Sequence, residues 1–330
     1  MTIPQYVREL APEALPNYRD SRFDGHGEQV ELAQFVPADR ERLARVYRHL
    51  LAVVRVPAEP CADARDRLLA ATPADLLAVA GALGTDTPTA RTEPRMRRLI
   101  HDVRGGGLTV LLGVTELLAG LPDRLSLVPT AVRAARDHAK VMRACLPELD
   151  PEEYARDESA RVHVIDGFVR AWDGTVVPNK GREIRVEVAC EFRGALTGRC
   201  LETAALDRVI YNLMNNATRF AADDRVLSWV FRSGNVVRWV VRNALSPTDC
   251  EWLVRTVGTD TRALFAGGIT HGGHGIGLSA CAEVVGTCFG FDAASAVRAG
   301  HIGAKVCDSA FLAWFHWPVY ESDGPNCTCV

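Results

Sequence analysis

Between Glu93 and Leu121, Met96, Ile100, Val103, Val110, Val114, Leu117 and Leu121 recur at steps of three and four, provided Gly107 fills the one missing slot. That is heptad spacing, the pattern of a helix packed against other helices. LPDRL turns the chain, and Val128, Val132, Ala135, Ala139 and Met142 continue the pattern over about Val128 to Leu146. The spacing therefore predicts an antiparallel helical hairpin, and two hairpins from two copies would close a four-helix bundle. Inside its first helix lies RRLIHDVRGGGLTVLLG, residues 97–113, with His101 four residues ahead of three glycines. Each glycine costs about 1 kcal/mol relative to alanine in a helix interior. The triplet is either a ligand loop or a bend that presents His101, and the heptad running through it favours the bend.

The rest of the chain divides around this hairpin. In PADRERLARVYRHLLAVVRV, Leu43, Val46, Leu50 and Val53 keep helical spacing, and ATPADLLAVAGALG reads as a second helix with a good N-terminus. GTDTPTARTEP is rich in turn residues, which places a boundary near residue 90. After about residue 160 the pattern changes. REIRVEVACEF alternates as a half-buried strand, LDRVIYNLMNNATRFA is helical, and RVLSWVFRSGNVVRWVVRNAL is a β-hairpin around SGN. HGIGLSACAEVVG is a glycine-rich lead into a helix, and SAFLAWFHWPV is a last strand. Strict βαβ alternation is missing, so the region reads as α+β. The expected organisation is a helical module over 1–90, the hairpin over 91–155, an α+β sandwich over 156–322 and a tail over 323–330.

With 330 residues, 48% of them apolar, the chain can bury a sizeable core. A net charge of −3 gives no global attraction to nucleic acid or to acidic membranes. The run from Leu108 to Leu121 is short of a membrane span and holds Glu116. MTIPQYVREL lacks the layout of an export signal, and the ten cysteines are scattered through core-like segments. These features lead us to expect a cytoplasmic chain with reduced thiols and with neither nucleic acid nor membrane as partner.

Two segments carry chemistry. In LDRVIYNLMNNATRF, Asn212 and Asn216 lie four apart on one helix face and Arg219 follows one turn later. Amide oxygens and a guanidinium in one stripe suit Mg²⁺ and phosphates, because a hard cation takes oxygen ligands and keeps several waters. In GGITHGGHGIGLSACAEVVG, Gly272, Gly273, Gly275 and Gly277 precede a helix that begins near Leu278. Glycines let backbone N–H groups approach an anion, and the helix N-terminus adds a favourable dipole. His271, His274, Cys281 and Cys288 lack the tight pair spacing of a zinc site.

Taken together, LDRVIYNLMNNATRF resembles the asparagine box of the histidine-kinase family's ATP-binding domain, and HGIGLSACAEVV resembles its glycine box. LIHDVRGGGLTVLLG is similar to the family's phosphoacceptor helix. Order and spacing fit over roughly residues 93–320. The resemblance implies a homodimer through the hairpin, ATP and Mg²⁺ in the C-terminal domain, and transfer of phosphate to an aspartate on a response-regulator receiver domain. It implies His101 as phosphoacceptor, Asp102 as the acid beside it and Arg104 as a basic neighbour. Asn216 matches the Mg²⁺ ligand, and Asn212, Arg219, Gly273, Gly275, Gly277 and Leu278 would line the nucleotide site.

Two departures stand out. In VVRNALSPTD, Asn243 occupies the place of the family's adenine-reading aspartate, and the following glycines are missing. An amide can accept from the adenine amino group and donate to a ring nitrogen, but it brings no charge-assisted bond. Four residues after the acceptor, where the family often has Asn or Thr for dephosphorylating its partner, this chain has Gly105, which implies weak phosphatase activity. The alternative function is a histidine phosphotransferase or scaffold whose ATP-binding domain is degenerate.

Overall fold

The computed structural model describes residues 2–10, 29–179, 181–271 and 275–320. Helices α1 (Gln5–Arg8), α2 (Pro37–Val54), α3 (Ala62–Ala71), α4 (Leu76–Gly81) and α5 (Thr89–Thr92) precede the hairpin. The hairpin comprises α6 (Pro94–Arg104), α7 (Gly106–Gly120) and α8 (Val128–Cys145). Then follow α9 (Pro151–Glu158), β1 (Ala160–Val164), α10 (Ile165–Trp172), β2 (Val176–Asn179), β3 (Arg182–Cys190), β4 (Ala195–Arg199) and α11 (Cys200–Phe220). The chain ends with β5 (Arg225–Ser233), β6 (Val236–Ala244), α12 (Pro247–Val257), α13 (Gly277–Cys288), α14 (Ala293–Arg298), β7 (Ile302–Cys307) and β8 (Ala310–Pro318).

Six strands form one sheet in the order β2-β3-β5-β6-β8-β7, with β3 and β5 parallel and the other pairs antiparallel. The β5–β6 hairpin turns through Gly234 at φ +64°, where a side chain would be strained. Alternation along the strands sends Val237, Trp239, Val241, Phe315 and Trp317 into the main core. Trp229, Phe231, Val240, Leu312 and Trp314 point to the opposite face, where Ile3 and Val7 cover them.

α11 is the central helix. Its 21 residues are buried at 16 positions, and it packs on α8, α13, α7 and β6. One contiguous apolar core runs from Val30 in the N-terminal region through the hairpin to Trp317 in the sheet. The hairpin positions that would meet a second copy are instead covered within the chain. Val128, Val132, Ala135, Ala139 and Met142 are buried, and α8 packs against α2, α3, α6, α7 and α11.

The expected single helix over 93–121 is two helices that meet at Gly105. Gly105 ends α6 with its N–H donating to the His101 carbonyl at 3.0 Å. Gly106 has φ +53°, a conformation that β-carbons oppose. Gly107 lies against α8 so closely that a β-carbon would sit 2.4 Å from the Ala134 carbonyl oxygen. The break leaves carbonyls at the end of α6 without helical partners. His138 on α8, which is buried, donates from Nε2 to one of them, Val103 O, at 3.1 Å. Burial pushes the His138 pKa down to about 4, so this cap is a neutral imidazole.

The three glycines should therefore differ in cost. Gly107→Ala is expected to destabilise by about 2–3 kcal/mol through overpacking, and Gly106→Ala by about 1–2 kcal/mol through its left-handed backbone. Gly105→Ala should cost least. Urea unfolding midpoints of the three variants check the order.

Candidate functional site

Each part of the site sits at the end of a rigid element. α11 presents its polar stripe, α13 presents its N-terminus, and α6 brings His101 to the same place. These surround a cavity of about 190 Å³ lined by His101, Asn216, Arg219, Asn243, Asp249, His271, Gly275, Gly277 and Leu278. Its remaining wall is largely apolar and includes Leu213, Val241, Trp252, Leu264 and Phe311. A shaped apolar pocket with a few convergent polar groups is the usual form of a small-molecule site.

His101 is held by a chain of charges. Its Nδ1 is 3.2 Å from Asp102 Oδ1, and Asp102 Oδ2 accepts from Arg208 Nε at 2.9 Å and from Nη2 at 2.5 Å. Asp102 and Arg208 are both buried. Burial works to raise the Asp102 pKa, but the Arg208 guanidinium and His101 outweigh it and hold the carboxyl at about 2. An ionised Asp102 accepts the Nδ1 proton, which places the imidazole lone pair on Nε2. Nε2 faces the N-terminus of α13, because a β-carbon added to Gly277 would lie 3.6 Å from it and 3.2 Å from Asn212 Oδ1.

At the other end of the cavity, Asn243 is buried on β6 and its Nδ2 donates to Phe220 O at 3.3 Å and Ala244 O at 3.0 Å. Both amide hydrogens are committed to carbonyls. Oδ1 is therefore its remaining polar atom, and Asn243 offers the cavity an acceptor but no donor. His271 stacks on Trp252 with centroids 4.6 Å apart, and its Nδ1 is 3.2 Å from Asp249 Oδ1. Phe220 lies on the His271 ring at 6.1 Å. Gly275 has φ +66° and its carbonyl accepts from Gly268 N–H at 3.0 Å.

The sequence-predicted residues separate into four groups. His101, Asn216, Arg219, Asn243, Gly275, Gly277 and Leu278 line the cavity, and Asn212 lies beside Gly277. Asp102 stands behind His101. Arg104 points elsewhere: it donates to Ala80 O at 3.2 Å and to Leu83 O, tying the end of α6 to α4 and the turn after it. Gly273, with Gly272 and His274, lies outside the described residues. Among the described residues, no cluster of three His, Cys, Asp or Glu could hold a metal, so a cation here would rest on the amide oxygen of Asn216 and on ligand oxygens.

Sequence reasoning missed Arg208, Asp249 and Trp252. Arg208 had a signal: it lies four residues before Asn212, so the stripe 208-212-216 on one helix face begins one turn earlier than the asparagines. Asp249 and Trp252 sit on α12, where only the fold brings them to the cavity.

No protein-family model matches the sequence, and no curated protein matches it. Solved structures do. The catalytic domain of the histidine kinase ThkA is 20% identical, with a TM-score of 0.31, over 41% of this chain and 80% of that one. Full-length ShkA in complex with AMPPNP is 15% identical, with a TM-score of 0.35, over 72% of this chain and 47% of that one. A histidine kinase from Burkholderia phymatum is 14% identical, with a TM-score of 0.31, over 70% of this chain and 99% of that one.

The Asp102–Arg208 pair gives two measurable consequences. The folded pKa of Asp102 lies below the ordinary 3.8, so its contribution of roughly 2 kcal/mol is complete above pH 4 and is lost as the pH falls through about 2. Arg208→Met should cost about 3–5 kcal/mol by taking the guanidinium away from a buried carboxylate. The double variant with Asp102→Asn should cost clearly less than the sum of the singles. A double-mutant cycle from chemical denaturation at pH 7 measures this coupling.

Proposed function

We propose that this chain is a histidine-kinase-like signalling protein that phosphorylates His101 from ATP and passes the group to an aspartate on a response-regulator receiver domain. The observation that carries the reading is the placement of His101 in one cavity with Asn216, Arg219 and the N-terminus of α13. A nucleophile, a cation ligand, a guanidinium and a backbone cradle are the parts that in-line phosphoryl transfer requires.

The residues divide the work. Apolar side chains around Val241, Leu264 and Phe311 would take the base, with Asn243 Oδ1 accepting from its amino group. N–H groups at the start of α13 and the Arg219 guanidinium would meet the phosphates. Asn216 would hold Mg²⁺, which neutralises charge on the phosphate oxygens. His101 Nε2 attacks the γ-phosphorus, the bond to the bridging oxygen breaks, and ADP leaves with that electron pair. The Nδ1 proton stays on the ring, and Asp102 balances the positive charge that develops there.

A second reading is a phosphotransferase that receives phosphate on His101 from another kinase. Asn243 favours it, because a neutral amide replaces a charge-assisted bond to the base. Incubation of the purified protein with γ-labelled ATP and Mg²⁺ separates the two. The kinase reading expects an acid-labile, base-stable label that is lost in His101→Gln and in Asn216→Asp. Absence of both label and nucleotide binding would leave the phosphotransferase.

A further inference from the structure

The helix that bears His101 is tied to α11 and α13 of its own chain. Four polar ties join it and its neighbours to the nucleotide-binding half. Arg98 on α6 donates to Glu283 on α13 at 2.9 Å, three residues before His101. Asp102 on α6 pairs with Arg208 on α11, one residue after it. Asn215 on α11 donates to the Gly106 carbonyl at 3.2 Å, and Tyr211 on α11 donates to Asp137 on α8 at 3.1 Å. His101 is thus clamped on both sides against the two helices that frame the cavity. The buried face of α8 is likewise occupied within the chain, by α2, α6, α7 and α11.

We propose that the phosphoryl group moves within a single chain, with Arg208 as the positioning residue that fixes His101 in its own chain's cavity. This rests on the kinase reading above. Delivery of His101 to a neighbour's cavity would break the buried pair between Asp102 and Arg208. Within one chain nothing has to be undone. Nε2 attacks the γ-phosphorus of the nucleotide bound beside it, ADP departs with the bridging-oxygen electron pair, and the Nδ1 proton remains between the ring and Asp102.

The test mixes two purified full-length variants. His101→Gln keeps the cavity and lacks the acceptor, and Asn216→Asp keeps the acceptor and sets a carboxylate against the phosphates. With γ-labelled ATP and Mg²⁺ the mixture should carry no more label than the two variants alone, while the wild-type labelling rate constant stays unchanged on dilution. Label restored by mixing would overturn single-chain transfer and leave the kinase reading standing. No label on wild type would sink both.

A second readout needs no turnover. AMPPNP with Mg²⁺ should protect His101 of the wild type from diethyl pyrocarbonate. In the mixture only the Asn216→Asp chain contains His101, and its protection should not exceed that of this variant alone. Extra protection would overturn the proposal. For Arg208, Arg208→Gln should lower the labelling rate about 100-fold with KM for ATP retained, and Arg208→Lys should recover part of it. Equal losses in the two variants with a raised KM would make Arg208 merely structural.

Discussion

The buried ion pair between Asp102 and Arg208 is the interaction on which the functional arrangement depends. It joins the helix that carries His101 to the helix that carries the asparagine stripe. A carboxylate and a guanidinium buried together are costly to separate and neutral in net charge, so they set where α6 sits on α11. They also set the chemistry. The carboxylate stays ionised, accepts a hydrogen bond from the Nδ1–H of His101, and leaves the Nε2 lone pair toward Gly277.

The glycine triplet serves the same geometry from the other side. A continuous helix over 93–121 would carry α7 along the axis of α6. Gly105 ends α6, Gly106 takes a left-handed backbone, and Gly107 lets α7 lie directly on α8. The broken end is closed by His138 on Val103 and by Asn215 on Gly106. Gly107 is required by packing and Gly106 by its left-handed backbone, while Gly105 ends α6.

Much of this was legible in the sequence, because local pattern dictates local structure. Heptad spacing located the hairpin, alternation located β3, β5, β6 and β8, and the asparagine and glycine segments located the cavity walls. Asn216, Gly275 and Gly277 line the cavity, and Asn212 lies beside Gly277. What stayed hidden depends on tertiary contact. No periodicity tells that α8 will be covered by α2 of the same chain, since an apolar face does not name its partner. Arg104, two residues from Asp102, turns away to the carbonyls of Ala80 and Leu83. Asn243 loses its donor role only because two backbone carbonyls converge on its amide. Trp252 and Asp249 reach the cavity from a helix with no motif of its own.

The central claim is that Asp102, held by Arg208, orders the His101 ring so that Nε2 is the nucleophile. Nitrogen-15 NMR of the imidazole in ligand-free protein, at a pH where the ring is neutral, tests this directly. The account predicts a proton on Nδ1 and a lone pair on Nε2, with that preference lost in Asp102→Asn. A wild-type ring protonated on Nε2, or one that exchanges equally between the two forms, would contradict it.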